Sequence, residues 1–283
     1  MTKGPGLRID SAALALAVCI GSACAQPPLS NSAPKQPGRS PLKVFILAGR
    51  SNLEGKRQLG DLFHADASTR VIEGWTVHVN AALWQNEKAA TETALASLQK
   101  QLVEIVRVVP APTLARLREV PLWFSPEYPG VKPRAEYHPG ADWLRENGRN
   151  PAMLKGVEFT DVRDFEMEMN RMPNFALHEL AHAYHDRVLT GGFDNAEIKA
   201  AFEKAKASKS YDKVERWFGN GRPNTFERAY AMTSPQEYFA EATEEFFSRN
   251  DFFPFTREEL KKHDPEMFEL LLKLWGDTNR EAK

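Results

Sequence analysis

Apolar positions recur along this chain at two spacings. Residues 71–79 alternate apolar and polar positions, the period of a half-buried strand. Residues 86–109 instead carry Ala90, Thr93, Leu95, Leu98, Leu102, Ile105 and Val106 at broadly helical intervals, which predicts a long amphipathic helix. Short apolar runs at 122–125, bounded by Pro121 and Pro126, and at 156–160 predict two more strands. Residues 113–118 and 142–147 read as short helices, and 174–188, 195–207 and 234–248 as longer ones. Thr256 with Glu259, and Asp264-Pro265-Glu266, mark two further helix starts. No internal repeat interrupts this order.

The pattern changes near residue 69. Upstream, 26–41 is rich in proline and small polar residues, which bury too little surface to fold, and reads as a linker. Residues 42–68 form an N-terminal extension that opens with an apolar strand candidate at 43–48. Residues 1–25 have the layout of a bacterial-type export signal: Lys3 and Arg8 at the start, an apolar stretch at 12–20, and Ala23-Cys24-Ala25 as a cleavage site. That stretch is too short to span a bilayer. An alternative takes Cys24, after Gly-Ser-Ala, as a lipid-attachment site, although Gly21 stands where such signals usually carry Leu. Both cysteines, Cys19 and Cys24, fall inside this segment, so a secreted or periplasmic mature chain would carry no disulfide.

Composition narrows the choice of partners. A net charge of −1, without a basic run, gives no long-range attraction to nucleic acid or to an anionic membrane, and no transmembrane segment is read. A hydrophobic content of 42% is enough to build one sizeable core, expected over residues 69–283.

The chemistry concentrates in His178-Glu179-Leu180-Ala181-His182. On a helix, positions i and i+4 share a face, so both imidazoles can reach one Zn²⁺, and the adjacent carboxylate can act as general base to a zinc-bound water. With His178 at the origin of a helical wheel, His182 falls at about 40°, Asp186 at about 80° and Glu179 at about 100°. Leu177, Leu180, Ala181 and Tyr184 lie on the opposite side. The competing reading is an amphipathic helix with a solvated, histidine-rich face. His185 sits too far along the axis to share the ion and is expected near the metal shell or at the surface. Asp186 can support His182 or bond within the helix.

A catalytic zinc requires a third protein ligand. Glu237 is the candidate, on a helix where Glu241 shares its face and can fix a ligating histidine's tautomer. Two alternatives stay open. Ser234-Pro235-Gln236-Glu237 also fits a capping box, and Glu237, Glu241, Glu244 and Glu245 can form a plainly solvated face. Tyr230 is either a functional phenol or a packing aromatic.

From about Trp75 to its end, the chain resembles the zinc peptidase domain of anthrax lethal factor and its bacterial relatives, a gluzincin-type zincin. The resemblance rests on His178-Glu179-x-x-His182, then Tyr230, then Glu237-Tyr238-Phe239-Ala240-Glu241, with the tyrosine seven residues before the first glutamate. It implies an α+β zincin-like fold with a small mixed sheet and an active-site helix pair. It also implies one Zn²⁺ held by His178, His182 and Glu237, with Glu179 as base, Tyr230 as transition-state donor and Glu241 behind the ligands. The implied activity is hydrolysis of peptide bonds in a peptide or protein substrate, with no other cofactor. The strand at 156–160 is then expected to be the sheet edge that pairs with an extended peptide, so that Val157 and Phe159 bind substrate.

A second resemblance is shorter. Residues 44–55, with Gly49-Arg50-Ser51-Asn52, are similar to the opening block of sialate O-acetylesterase-like SGNH hydrolases and offer Ser51 as an esterase nucleophile. The Asp61-x-x-His64 pattern lies only ten residues after Ser51, which leaves no room for the fold such enzymes need. The remaining alternative is a zinc- or peptide-binding module without turnover, against which Glu179 speaks, because a purely structural site has no use for a base.

Overall fold

The computed structural model describes residues 68–276. The export segment, the linker and the extension with Ser51, Asp61 and His64 lie outside the described residues.

The first predicted strand is in fact a hairpin. β1 (Ser68–Ile72) and β2 (Trp75–Val79) pair antiparallel across Glu73 and Gly74, whose φ angles are 50° and 93°. Two successive positive φ values are what a two-residue hairpin loop demands, and glycine meets that demand without strain. A Cβ at Gly74 would also meet the Arg118 side chain at 2.6 Å. There follow α1 (Ala81–Asn86), α2 (Lys88–Val108), α3 (Ala111–Leu117), β3 (Leu122–Phe124), β4 (Ala135–Tyr137), α4 (Ala141–Glu146) and β5 (Val157–Phe159). The second half holds α5 (Phe165–Arg171), α6 (Phe175–Arg187), α7 (Ala196–Ser208), a hairpin of β6 (Val214–Arg216) and β7 (Thr225–Glu227), α8 (Pro235–Phe247), α9 (Arg257–His263) and α10 (Pro265–Trp275).

The fold class is α+β, with a small mixed sheet in the order β1-β2-β3-β5-β4. β2, β3 and β5 run parallel to one another, and β4 closes the order antiparallel to β5. This corrects the expectation for residues 156–160. β5 is paired on both sides, so it offers no free edge, and Val157 and Phe159 are fully buried in the core rather than available to substrate. Among the described residues the edge strand on this side of the sheet is β4, with β1 at the other end. Arg134 and His138 turn their backbone groups toward β5, through Thr160 N–H to Arg134 O and His138 N–H to Gly156 O, both 3.0 Å. By the alternation of an antiparallel strand, Ala135 and Tyr137 turn theirs outward.

One face of the sheet carries Val77, Val79, Leu122, Phe124, Val157 and Phe159, which belong to the same core as Leu98, Leu102 and Ile105 of α2 and Leu177 and Leu180 of α6. Glu158 projects to the other face, where it is buried and bonded to Tyr128, His138 and Arg149.

Helix α6 is pinned at its start. Asn174 caps it by accepting from Leu177 N–H at 3.1 Å, and Gln101 of α2 accepts from Ala176 N–H at 2.8 Å. Asn174 in turn donates to the Gln101 carbonyl at 3.1 Å. Two of the helix's unpaired N–H groups are thereby satisfied inside the core.

Trp275, at the end of α10, fixes α6 relative to α8. Its ring stacks on Tyr184 of α6 at 4.4 Å and lies 5.9 Å from Phe239 of α8. Its indole N–H donates to Thr243 at 3.2 Å. Trp275 is fully buried, and Trp275→Ala is expected to destabilise the chain by about 3–5 kcal/mol. Urea unfolding checks this; a loss under about 1 kcal/mol would mean the clamp is not rigid.

Candidate active site

Helices α6 and α8 bring two imidazoles and a carboxylate to one point. His178 and His182 project from α6 with their Nε2 atoms 3.2 Å apart. The Glu237 Oε2 of α8 lies 3.2 Å from His178 Nε2 and 3.5 Å from His182 Nε2. Ser234 still caps α8 by accepting from Glu237 N–H at 3.2 Å. The Glu237 carboxylate, however, is directed at the two imidazoles rather than spent only on the helix end. In the Ser-Pro-Gln-Glu segment the serine caps the helix, and the glutamate side chain faces the histidines.

The solvated-face alternative for α8 fails. Glu241, Glu244 and Glu245 are all buried. Glu244 Oε1 accepts from His178 Nδ1 at 2.6 Å, whereas Glu241 stands 3.6 Å from that nitrogen and is bonded to Asn250 instead. The hydrogen bond to His178 Nδ1 expected of Glu241 is made by Glu244. Glu244 is seven residues after Glu237, two full turns on, so helical spacing aligns it with Glu237 as well as it aligns Glu241. A proton on Nδ1 leaves the His178 Nε2 lone pair facing His182 and Glu237.

The electrostatics favour a positive charge at this point. Burial opposes charging of His178, yet its hydrogen bonds to the Glu237 and Glu244 carboxylates outweigh it and push the imidazole well above its ordinary value. Burial likewise works to raise Glu237, and the two histidines hold it below the usual carboxylate range. Burial pushes Glu244 up to about 7. The donor set itself suits zinc. Four-coordinate zinc with bonds of about 2.0–2.1 Å sets its ligand atoms about 3.3–3.4 Å apart, close to the three separations found here.

Glu179 faces β4. Its Oε2 accepts from Tyr137 N–H, one of the outward groups of this edge strand, at 2.8 Å. Asp186 also reaches β4, accepting from Tyr137 O–H at 2.7 Å and pairing with Lys155. It touches no histidine, so its expected support of His182 is replaced by a tie between helix and edge strand. His185 departs from expectation too. It is fully buried, its ring lies 5.2 Å from Phe193 and 5.1 Å from Phe239, and neither ring nitrogen has a hydrogen-bond partner. Its side of α6 is covered by aromatic rings, so it packs as a neutral aromatic.

Tyr230 begins a 3-10 turn, Tyr230–Thr233, that leads into α8. It is 47% exposed and lines the same cavity as the histidines. Partial burial and the Glu237 charge push its phenol up to about 12, so it keeps its proton near neutrality. The cavity is about 1070 Å³ and is walled by β4, α5, the β6–β7 hairpin and the two site helices.

Residues 157–274 match the family described as anthrax toxin lethal factor, N- and C-terminal domain. The matched span holds β5, α6, Tyr230 and α8, and marks this part of the chain as a peptidase-like domain. Among solved structures, the PRO-PRO endopeptidase from Paenibacillus alvei is similar at 22% identity and a TM-score of 0.38, over 65% of this chain and 90% of that one. No curated protein matches. Among the described residues no helix is long and apolar enough to cross a membrane.

His185 supplies a test of the division between site and core. Burial and the neighbouring His182 lower its pKa to about 4, against an ordinary 6.5. The unfolded chain therefore binds the extra proton between those values, and the stability from keeping His185 neutral is complete above 6.5 and lost as pH falls toward 4. His185→Leu removes that loss. Its stability advantage over the wild type is expected to grow as pH falls through this window, with metal content unchanged. A constant difference across pH, or lost metal, would return His185 to the site.

Proposed function

We propose that this chain is an exported, zinc-dependent peptidase. The observation that carries the reading is the convergence of His178 Nε2, His182 Nε2 and Glu237 Oε2 within 3.2–3.5 Å of one another, inside a cavity bordered by the edge strand β4. The family match supports the peptidase part, and the apolar stretch and cleavage site in residues 1–25 support export.

His178, His182 and Glu237 would hold the ion, and Glu244 orients His178. When bound, zinc supplies Lewis-acid polarisation of the scissile carbonyl and charge stabilisation. The remaining steps belong to the chain. Glu179 takes the proton of the attacking water and delivers it to the leaving amine. Its Oε2 is engaged by Tyr137 N–H, which fixes the carboxylate and leaves the other oxygen for the water. Tyr230 O–H donates to the developing oxyanion. An extended peptide would add to the sheet along β4, through the outward backbone groups of Ala135 and the Tyr137 carbonyl, the Tyr137 N–H being held by Glu179.

The test separates chemistry from binding. Glu179→Gln keeps shape and removes the base, so peptide turnover is expected to fall by at least about 10³-fold while bound zinc stays at one ion per chain. Cleavage of a peptide library, with zinc measured on the same samples, reads both. Turnover that survives the substitution would contradict the assigned base, and a chain that cleaves nothing while holding zinc would contradict the peptidase reading.

A further inference from the structure

Asp161 follows β5 by two residues and lines the cavity. It is 4% exposed, and its Oδ1 has no hydrogen-bond partner. Elsewhere in the described residues two buried acids find cations, Glu158 with Arg149 and Asp251 with Arg171 and Arg216, while the buried Glu241 and Glu245 accept from Asn250. Asp161 has neither a cation nor a side-chain donor. The four arginines that line its cavity are engaged elsewhere, Arg171 by Glu168 and Asp251, Arg134 by Glu136, Arg216 by Glu227 and Asp251, and Arg228 by Asp212, and Lys132, which lines it too, makes no ion pair with Asp161. The charges that act on Asp161 are carboxylates, those of Glu168, Glu179 and Asp164. Burial pushes it up to about 7, against a backbone hydrogen bond that favours the charged form, and those charges add to the rise. A buried acid without a counter-charge is unfavourable, and a cation brought by a ligand would relieve it.

Met172 and Phe175 are buried and line the same cavity as Asp161. A cavity that offers apolar groups together with a buried acid suits a side chain that buries an aliphatic stem and presents a charged head. Asp161 belongs to no group of side chains placed to hold a metal ion among the described residues. We propose that the cavity at Asp161 is a subsite for a Lys or Arg side chain of the bound peptide, with the Asp161 carboxylate taking its cationic head. The inference rests on the peptidase reading for its ligand.

Binding tests it independently of turnover. Fluorescent peptides, identical except for Lys or norleucine scanned through each position, are titrated against the full chain carrying Glu179→Gln. At one position, Lys is expected to bind at least about tenfold tighter than norleucine. The discrimination is expected to vanish when Asp161→Asn is added, with norleucine affinity unchanged; Asp161→Ser serves where the Asn variant does not fold. Absence of discrimination at every position, its survival in both variants, or failure of all the peptides to bind overturns the subsite. Cleavage of the same peptides by the wild-type chain is scored separately. Cleavage without Lys discrimination defeats the subsite alone, and Lys discrimination without cleavage defeats only the peptidase reading.

Discussion

The structure depends on one buried contact, the seating of His178 of α6 between Glu237 and Glu244 of α8. Carboxylates and imidazoles sealed from water are unfavourable unless each finds a partner of opposite character. Here the partners come from two helices, so the helices cannot shift without unpairing them. Much of the surrounding construction serves to hold that crossing. Trp275 wedges against both helices from behind, and Gln101 pins the start of α6 to α2. The cluster also concentrates negative charge around one imidazole, which makes a cation the natural occupant of its centre.

The edge strand β4 and the candidate base form one mechanical unit. Glu179 and Asp186, two turns apart on α6, both reach Tyr137, one through its backbone N–H and the other through its hydroxyl. A peptide laid along β4 would therefore meet the base at a separation that the fold has already set. That is the pre-organisation a hydrolytic site requires, since a misplacement of about 1 Å between reacting groups can cost orders of magnitude in rate.

What the sequence conveyed well was whatever helical periodicity encodes. The helix with His178 and His182, and the second with Glu237 and its cap at Ser234, lie where spacing and the capping box point, while Asn174, read as the first helical residue, proves to be the cap. Short strands were less legible. β4 is three residues between prolines, too short for alternation to register, and it forms because β5 offers it a partner. The first strand divided at Glu73-Gly74, a turn signal inside an otherwise regular alternation. Which acid would touch which histidine was beyond the wheel, because Glu241 and Glu244 project along the same line and only the crossing of the helices chooses between them. The fates of His185 and Asp186 depended in the same way on what the neighbouring elements bring: aromatic rings for one, Tyr137 and Lys155 for the other.

The central claim is that His178, His182 and Glu237 hold a single zinc ion. Anomalous diffraction at the zinc edge, on crystals of the chain grown without added metal, tests it most directly. The account predicts one strong peak about 2.0–2.1 Å from His178 Nε2, His182 Nε2 and a Glu237 oxygen. A peak elsewhere, or none at this point in crystals then soaked in zinc, would contradict it.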